Sequence, residues 1–419
     1  MNDKLQNLTS HDAQPQGVRD FYERRPYPPP LNNLDQYREL YSNPERRRAL
    51  FHLTWPTERP RTNQEILVAG CGTSQAARYA LREPDARITA IDISETSLCH
   101  TRDLKQKYEL HNLELDRCSI LDVQALGKTF DQIVCTGVLH HLADPSLGLQ
   151  SLRNVLKPDG AMQIMVYAQY GRAGIYMIQD YCRLMGITPS NQELQDLSAT
   201  LNSLPEDHPL TPLLHRGKDF QDPDALADTL LHPRDRAFTV PQLYAWLDCC
   251  GMSFGRWTEQ APYLPQCGAM AKTPHAARLA ALPEPTQYAA IELLRGTMTQ
   301  HSFIAYRSDR PVESQSIHFT GEQWRNYIPI RLPWTLCIRD RVPPGSVAVL
   351  LNRAHRHTDL ILPINASQDQ LFNEIDGAHT LGEIARSTGN VDRRTLQFFE
   401  QLWQYDQIVF DASRPLSNS

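Results

Sequence analysis

The sequence predicts a doubly wound α/β protein with a mainly parallel sheet, followed by a smaller C-terminal α+β domain. Three observations carry this. Between about residues 64 and 168, short β-branched apolar runs alternate with segments of helical composition. The strand-like runs are apolar on both faces, as buried parallel strands are. Past about residue 330 the texture changes to short strands, three short helices and a closing strand.

Residues 1–18 read as a polar tail. The segment Phe21 to Pro30 mixes aromatics, arginines and four prolines, which predicts an extended, stiff arm. From about Asn33 to Phe51 the pattern is helical and basic. EILVAG (65–70) is the first strand and SQAARYALRE the first crossover helix. ARITAID (86–92) is the second strand, followed by a helix with Ser94 as N-cap. LELDRCS (113–119) and FDQIVCTG (130–137) are the third and fourth strands. A helix then runs to Lys157-Pro158-Asp159-Gly160, a turn signal, before the fifth strand, AMQIMVYA (161–168). Residues 169–250 are mainly helical. Stretches near 253–258 and 301–307 suit late strands flanking the helix TQYAAIELLRG, and 308–330 read as an irregular linker. Beyond it, WTLCIRD and SVAVLLN pair as strands. Ser367 with Gln370, and Thr380 with Glu383, fit helix capping boxes, the third helix begins at Asp392-Arg393-Arg394, and IVF (408–410) closes the domain. The implied divisions are 1–60 (arm and helix), 61–308 (main domain, helical insertion at 169–250), 309–330 (linker) and 331–419 (C-terminal domain).

Composition narrows the function. With 42 basic against 48 acidic residues the formal charge is −6, which argues against nucleic-acid binding by bulk electrostatics. Nine scattered cysteines without a CxxC pair indicate neither a disulfide framework nor a zinc site, and no metal ligand set is expected. A reducing cytoplasm is the expected compartment. No apolar run approaches the ~18 residues a membrane span needs.

The chemistry starts at Val68-Ala69-Gly70-Cys71-Gly72-Thr73-Ser74. A strand turning sharply into a helix leaves unpaired N–H groups, and glycines let the backbone approach a ligand closely. Asp92 ends the second strand, 20 residues beyond Gly72, where an acid can accept both hydroxyls of an adenosine ribose. A dinucleotide fingerprint wants a third glycine where this chain has Gln75, which disfavours a nicotinamide oxidoreductase. The constellation suits a cofactor without pyrophosphate, S-adenosylmethionine. Cys71, inside the glycine turn, reads as a small filler and not a nucleophile.

Together with FDQIVCTGVLHHLADP (130–145) and LKPDGAMQIMVY (156–167), these motifs resemble class I S-adenosylmethionine-dependent methyltransferases over about residues 60–170. The resemblance implies their Rossmann-like, seven-stranded fold. It places Gly70, Cys71 and Gly72 against the cofactor's methionyl part, Asp92 and Ile93 at the ribose, Ser119 and Ile120 at the adenine, and Thr136 to His141 along the methyl-transfer site. The chain departs from the family pattern at Val68, Ser74 and Ser119. No Asn-Pro-Pro-Tyr or Asp-Pro-Pro-Tyr follows the fourth strand, which disfavours methylation of base amino groups.

His140 and His141 are the candidate general bases, should the acceptor arrive protonated. Tyr22 and Tyr27 in the arm, with Tyr167, Tyr170, Arg172 and Tyr176 after the fifth strand, are candidates to line the acceptor site. His232-Pro-Arg-Asp-Arg236 reads as a substrate loop or, more simply, a surface turn with local ion pairs. The expected activity is methyl transfer to a small-molecule or peptide/protein acceptor. The competing reading is a catalytically silent S-adenosylmethionine-binding regulator, suggested by Val68 and Ser74. The C-terminal domain loosely resembles a winged helix. Its run FNEIDGAHTLGEIA (372–385) resembles peptide-recognition modules, and its lack of a dense basic face points to a contact with the main domain, a second copy of the chain or a peptide, in preference to DNA.

Overall fold

The computed structural model describes residues 15–216, 220–310, 316–389 and 393–414. At its centre is β1 (Glu65–Ala69), with parallel neighbours on both sides. β2 (Arg87–Asp92) and β3 (Leu113–Arg117) lie on one side, β4 (Phe130–Thr136) and β5 (Leu156–Ala168) on the other. β7 (Met252–Trp257) and β8 (Gln300–Arg307) extend the sheet antiparallel, giving the order β3-β2-β1-β4-β5-β8-β7. A two-residue strand, β6 (Ala237–Phe238), pairs with the end of β5 as an eighth member. This is the predicted doubly wound, mainly parallel sheet of the Rossmann-like methyltransferase type.

Burial explains the apolar runs. Ile66, Leu67, Val68 and Ala69 of β1 are all fully buried, alternating between two cores. Leu67 and Ala69 face the core built with α6 (Pro145–Val155) and α11 (Val240–Cys249). Ile66 and Val68 face the one built with α4 (Gln75–Arg82) and α5 (Glu95–Lys107). Ser94 caps α5 as expected, its hydroxyl accepting from the Ser97 N–H at 3.1 Å. The insertion holds α7 (Ala173–Met185), α8 (Asn191–Leu201), α9 (Thr211–Arg216) and α10 (Pro223–Leu231) ahead of α11, while α12 (Ala276–Ala280) and α13 (Glu284–Arg295) precede β8.

The N-terminal segment differs from expectation. Pro15–Arg24 forms a helix, α1, so Phe21 to Arg24 are helical and not extended. Pro15 opens the helix, where its missing N–H costs nothing, and Pro26 stops it. Residues 1–14 lie outside the described residues. The basic helical stretch is split at Asn43-Pro44 into α2 (Asp35–Ser42) and α3 (Pro44–Thr54), with Asn43 capping the second. Lys157 to Gly160 belong to β5 and make no turn. The register jumps there, Phe130 pairing Leu156 and Gln132 pairing Ala161, so the extra residues are absorbed as an irregularity in the strand.

The stretch read as a linker ends in ordered structure, because β9 (Ile328–Arg331) pairs antiparallel with β13 (Ile408–Asp411). β10 (Thr335–Ile338), β11 (Ala348–Asn352) and β12 (Ile361–Ile364) form a separate antiparallel sheet, the third strand unforeseen. Between β12 and β13 come α14 (Ala366–Asn373), α15 (Leu381–Ser387) and α16 (Arg393–Gln404). Asp392 lies outside the described residues. The Thr380–Glu383 capping box is present, but α14 is capped by Asn365 with Gln368, two residues ahead of the expected Ser367–Gln370 pair.

This C-terminal unit docks on the main sheet through Asp406, whose side chain is 1% exposed. Its carboxylate meets Arg256 of β7 at 3.5 Å, accepts from the Ala261 N–H at 2.9 Å and meets His355 Nε2 at 3.0 Å. Asp406→Asn would strand the buried Arg256 guanidinium without its counter-charge. We expect a loss of about 3–5 kcal/mol in chemical denaturation of the full chain.

On the other side of that junction, His52 of α3 is fully buried, 3.5 Å from Asp411. Burial pushes its imidazole down from 6.5 to about 4, against the pull of Asp411. The unfolded chain therefore takes up a proton near pH 6.5 that the folded chain refuses until about pH 4. His52 thus holds its full share of stability above pH 6.5 and loses it as the pH falls toward 4. The urea midpoint should decline across that window, less steeply in His52→Gln.

Candidate active site

The carboxyl ends of β1, β2, β4 and β5 surround a cavity of about 890 Å³ at the point where strand order reverses. Gly70 and Gly72 turn the chain out of β1 with φ of +69° and +56°, backbone that a side chain resists. Neighbours also exclude a side chain. A Cβ on Gly70 would stand 2.4 Å from a Val138 methyl, and one on Gly72 would stand 2.9 Å from the Tyr27 carbonyl oxygen. The arm after α1 is thus laid over the glycine turn, and Thr73 fastens it by donating to the Pro28 carbonyl at 2.7 Å.

Asp92 holds this end of the cavity together. One carboxylate oxygen accepts the Gly72 N–H and the other the Ser94 N–H, both at 2.9 Å. Burial raises its pKa, and these backbone donors oppose the shift. Each oxygen retains a second lone pair for a hydroxyl, and Asp92 lines the cavity. Ile93 and Ile120 add apolar wall on which a flat base can lie, and Ser119 lines the cavity while capping the following turn through the Leu121 N–H. Burial pushes the Cys71 thiol well up, in keeping with a filler. Thr136 lines the floor, its hydroxyl accepting from the Gln75 amide at 2.6 Å. This donor set fits an adenosine-type cofactor: a carboxylate for the ribose diol, apolar wall for the base and a side-chain-free turn for the remainder.

At the other end, Tyr22, Tyr27, His141, Tyr167 and Arg172 line the same cavity. Arg172 lies 3.5 Å over the Tyr167 ring and pairs with Asp235 at 2.8 Å, both charges almost fully buried. Tyr22 donates to Asp228 of α10 at 2.9 Å. The His232–Arg236 segment is thus more than a surface turn with local ion pairs, although Pro233 and Arg236 within it are exposed. It carries the buried partner of a cavity-lining arginine.

Three sequence candidates fall outside the lining. His140 turns into the interior between His141 and Tyr167, at ring distances of 4.1 and 3.9 Å, with no exposed surface and neither ring nitrogen bonded. A group sealed in this way reaches no acceptor. Tyr170 sits in the turn after β5, 39% exposed. Tyr176, one helical turn beyond Arg172, spends its hydroxyl on that arginine at 3.3 Å. Val68 and Ser74, the two departures that suggested a silent binder, are fully buried and do not line the cavity.

Sequence reasoning missed Gln75 as a cavity residue, having weighed it only as the missing glycine. It missed Asp228, on a helix remote in sequence, and it named Asp235 within the His232–Arg236 segment without its partner Arg172. It also missed Arg356 and His357, which reach the cavity rim from the C-terminal unit. No local pattern marks those two. Nor does spacing announce that His141, Asp228 and His232 converge, with ligand-type atoms all within 4.8 Å of one another.

Comparison with known proteins agrees with this geometry. Residues 67–162 match the family described as "Methyltransferase domain". The match places a methyltransferase-type domain at residues 67–162, on the central sheet described above. Over 258 residues it is 31% identical to uncharacterized protein syc1184_c of Synechococcus sp., covering 59% of this chain and 61% of that one. Over 141 residues it is 28% identical to malonyl-[acyl-carrier protein] O-methyltransferase of Halalkalibacterium halodurans, covering 32% and 51%. The chain thus spans about three fifths and one half of these relatives' lengths. Among solved structures, PKMT2 from Rickettsia typhi superposes with a TM-score of 0.61 at 17% identity, covering 90% of this chain and 75% of that one. That protein has also been solved in complex with AdoHcy.

Removing the carboxylate that ties the two strand ends should be felt without any ligand. In Asp92→Ala the Gly72 and Ser94 N–H groups lose their acceptor, and we expect about 2–4 kcal/mol lower stability in urea titration of the ligand-free protein.

Proposed function

We propose that this protein binds S-adenosylmethionine at the Asp92 end of the cavity and methylates a nucleophile held at the Tyr167–Arg172 end. One observation carries the reading: a single continuous cavity joins the glycine turn and Asp92 to His141, Tyr167 and Arg172. When bound, the cofactor supplies a methyl group activated on a cationic sulfonium.

The chain's own residues then have two tasks, to align the acceptor and to exclude water. Asp92 accepts the ribose hydroxyls, the 70–72 turn flanks the methionyl portion, and Ser119 with Ile120 meets the adenine. Thr136, held by Gln75, forms the floor between the two ends. Tyr22, Tyr27 and Tyr167 enclose the acceptor end with aromatic surface, and Arg172, neutralised by Asp235, is fixed in place there. Burial holds His141 neutral, its pKa down to about 4, so it takes up a proton poorly at neutral pH. We therefore assign it an orienting role and not general-base work. Arg356 and His357 bring the C-terminal unit, which we read as winged-helix-like, to the rim, where it helps select a small-molecule or peptide acceptor.

Calorimetry with S-adenosylhomocysteine should give micromolar binding, weakened in Asp92→Asn by about 1.5–3 kcal/mol, the scale of a charge-assisted bond. Incubation with methyl-labelled S-adenosylmethionine and cell extract should release S-adenosylhomocysteine and a product heavier by one methylene. A flat titration with folded protein would refute the reading. Binding without any labelled product would leave a regulator.

A further inference from the structure

Methyl transfer as derived above makes no use of Asp228 or His232, which converge on His141 beside the acceptor end of the cavity. His141 follows β4, Asp228 lies on α10, and His232 stands four residues later at that helix's C-terminal cap. All three are buried, and one ligand atom from each lies within 4.8 Å of the other two.

Their outer contacts orient them toward one another. Nδ1 of His141 and Nδ1 of His232 both meet the Arg234 carbonyl oxygen, at 2.6 and 2.5 Å. A ring nitrogen so close to a carbonyl oxygen carries the proton between them, so both rings are Nδ1–H tautomers with a bare lone pair on Nε2. The Arg234 N–H also approaches His232 Nδ1, at 3.1 Å, but the carbonyl contact is much shorter and decides the tautomer. Nε2 of His232 is buried without a hydrogen-bond partner. Tyr22 donates its hydroxyl to the Asp228 carboxylate at 2.9 Å, which fixes that side chain. Two neutral imidazoles anchored through Nδ1 to a backbone carbonyl, with one carboxylate anchored by a phenol, is the second-shell pattern by which proteins orient metal ligands.

We propose that His141, Asp228 and His232 bind a divalent transition-metal ion. Two imidazoles and one carboxylate suit zinc, with a fourth position left open. The set carries one negative charge and the nearby Arg172–Asp235 pair is neutral overall, so the Asp228 carboxylate is the charge that would draw a cation in, against the Arg234 guanidinium that also acts on His232. A tetrahedral ion with bonds of about 2.0–2.1 Å places its ligand atoms roughly 3.4 Å apart, so binding draws the three side chains inward. The His141 and His232 rings, now 3.8 Å apart between centroids and tilted by 38°, would fan apart as their Nε2 atoms turn to the ion. His141 and Tyr22 both line the cavity, so the open position lies on its side and brings a positive charge to the acceptor.

The test is metal binding by the full chain after chelator treatment and dialysis into metal-free buffer. Titration with Co²⁺ should saturate at one equivalent, with the intense visible absorption of a low-coordinate ion, and one equivalent of Zn²⁺ should abolish that band. His232→Ala and Asp228→Asn should each weaken Co²⁺ binding at least tenfold, with circular dichroism reporting whether they fold. Tyr22→Phe, which removes a single hydroxyl, should weaken it severalfold and serves if the ligand variants unfold. Folded wild-type protein that takes up no stoichiometric Co²⁺ or Zn²⁺ overturns the proposal. So does a Co²⁺ affinity unchanged in the folded ligand variants or, where those unfold, in Tyr22→Phe. Because the readout is the metal and not methyl transfer, S-adenosylhomocysteine calorimetry on the same samples separates failure of this site from failure of the methyltransferase reading.

Discussion

The Asp92 carboxylate is the constraint on which the site depends. Parallel strands ending side by side leave two loops whose N–H groups point into the same crevice, and one carboxylate takes a hydrogen bond from each. That converts two independent turns into one rigid rim. The arrangement also buries a charge, a cost that its two backbone donors offset in part. The rim is extended by α1, where Glu23 accepts the Glu95 and Thr96 N–H groups at the start of α5. Helix N-termini carry partial positive charge, so Glu23 and Ser94 together satisfy what Asp92 leaves over.

Opposite this preformed rim stands a half assembled from distant parts of the chain. Arg172 follows β5, Asp235 and Asp228 come from the helical insertion, and Tyr22 comes from α1. Their charges and hydroxyls meet only when the insertion packs over the sheet. The cofactor end is thus local in sequence and the acceptor end is not, which suits a fold whose acceptor varies while its cofactor does not.

That difference also explains what could be read from the residues. β1, β2 and β4 were legible because strands buried on both faces need uninterrupted apolar runs, and Gly70, Gly72 and Asp92 because their spacing follows from one strand-turn-helix unit. α1 was misread because its first residues look like a polar tail and its last ones adjoin the four prolines between Pro26 and Pro30, which favour an extended arm. Lys157 to Gly160 look like a turn, yet they lie within β5, where the register with β4 jumps between Leu156 and Ala161. His140 and His141 are indistinguishable in sequence, and only the short turn at 139–141 decides that one faces the cavity and the other the interior. Asp228, Asp235, Arg356 and His357 owe their positions to packing between segments, which no local pattern encodes.

The order in which the walls of the cavity appear along the chain has a consequence for synthesis. The arm at 27–28 lies on a glycine turn made some forty residues later, α1 waits for Asp228, and the rim is completed only by Arg356 and His357 of the last unit. A nascent chain on the ribosome can form the central strands and the Asp92 rim early, because these need only residues up to about 136. It then exposes that half-built crevice through the whole translation of the helical insertion and the C-terminal unit. A stall beyond residue 136 would thus release a fragment whose Asp92 rim is formed while the opposite wall of the crevice is still missing.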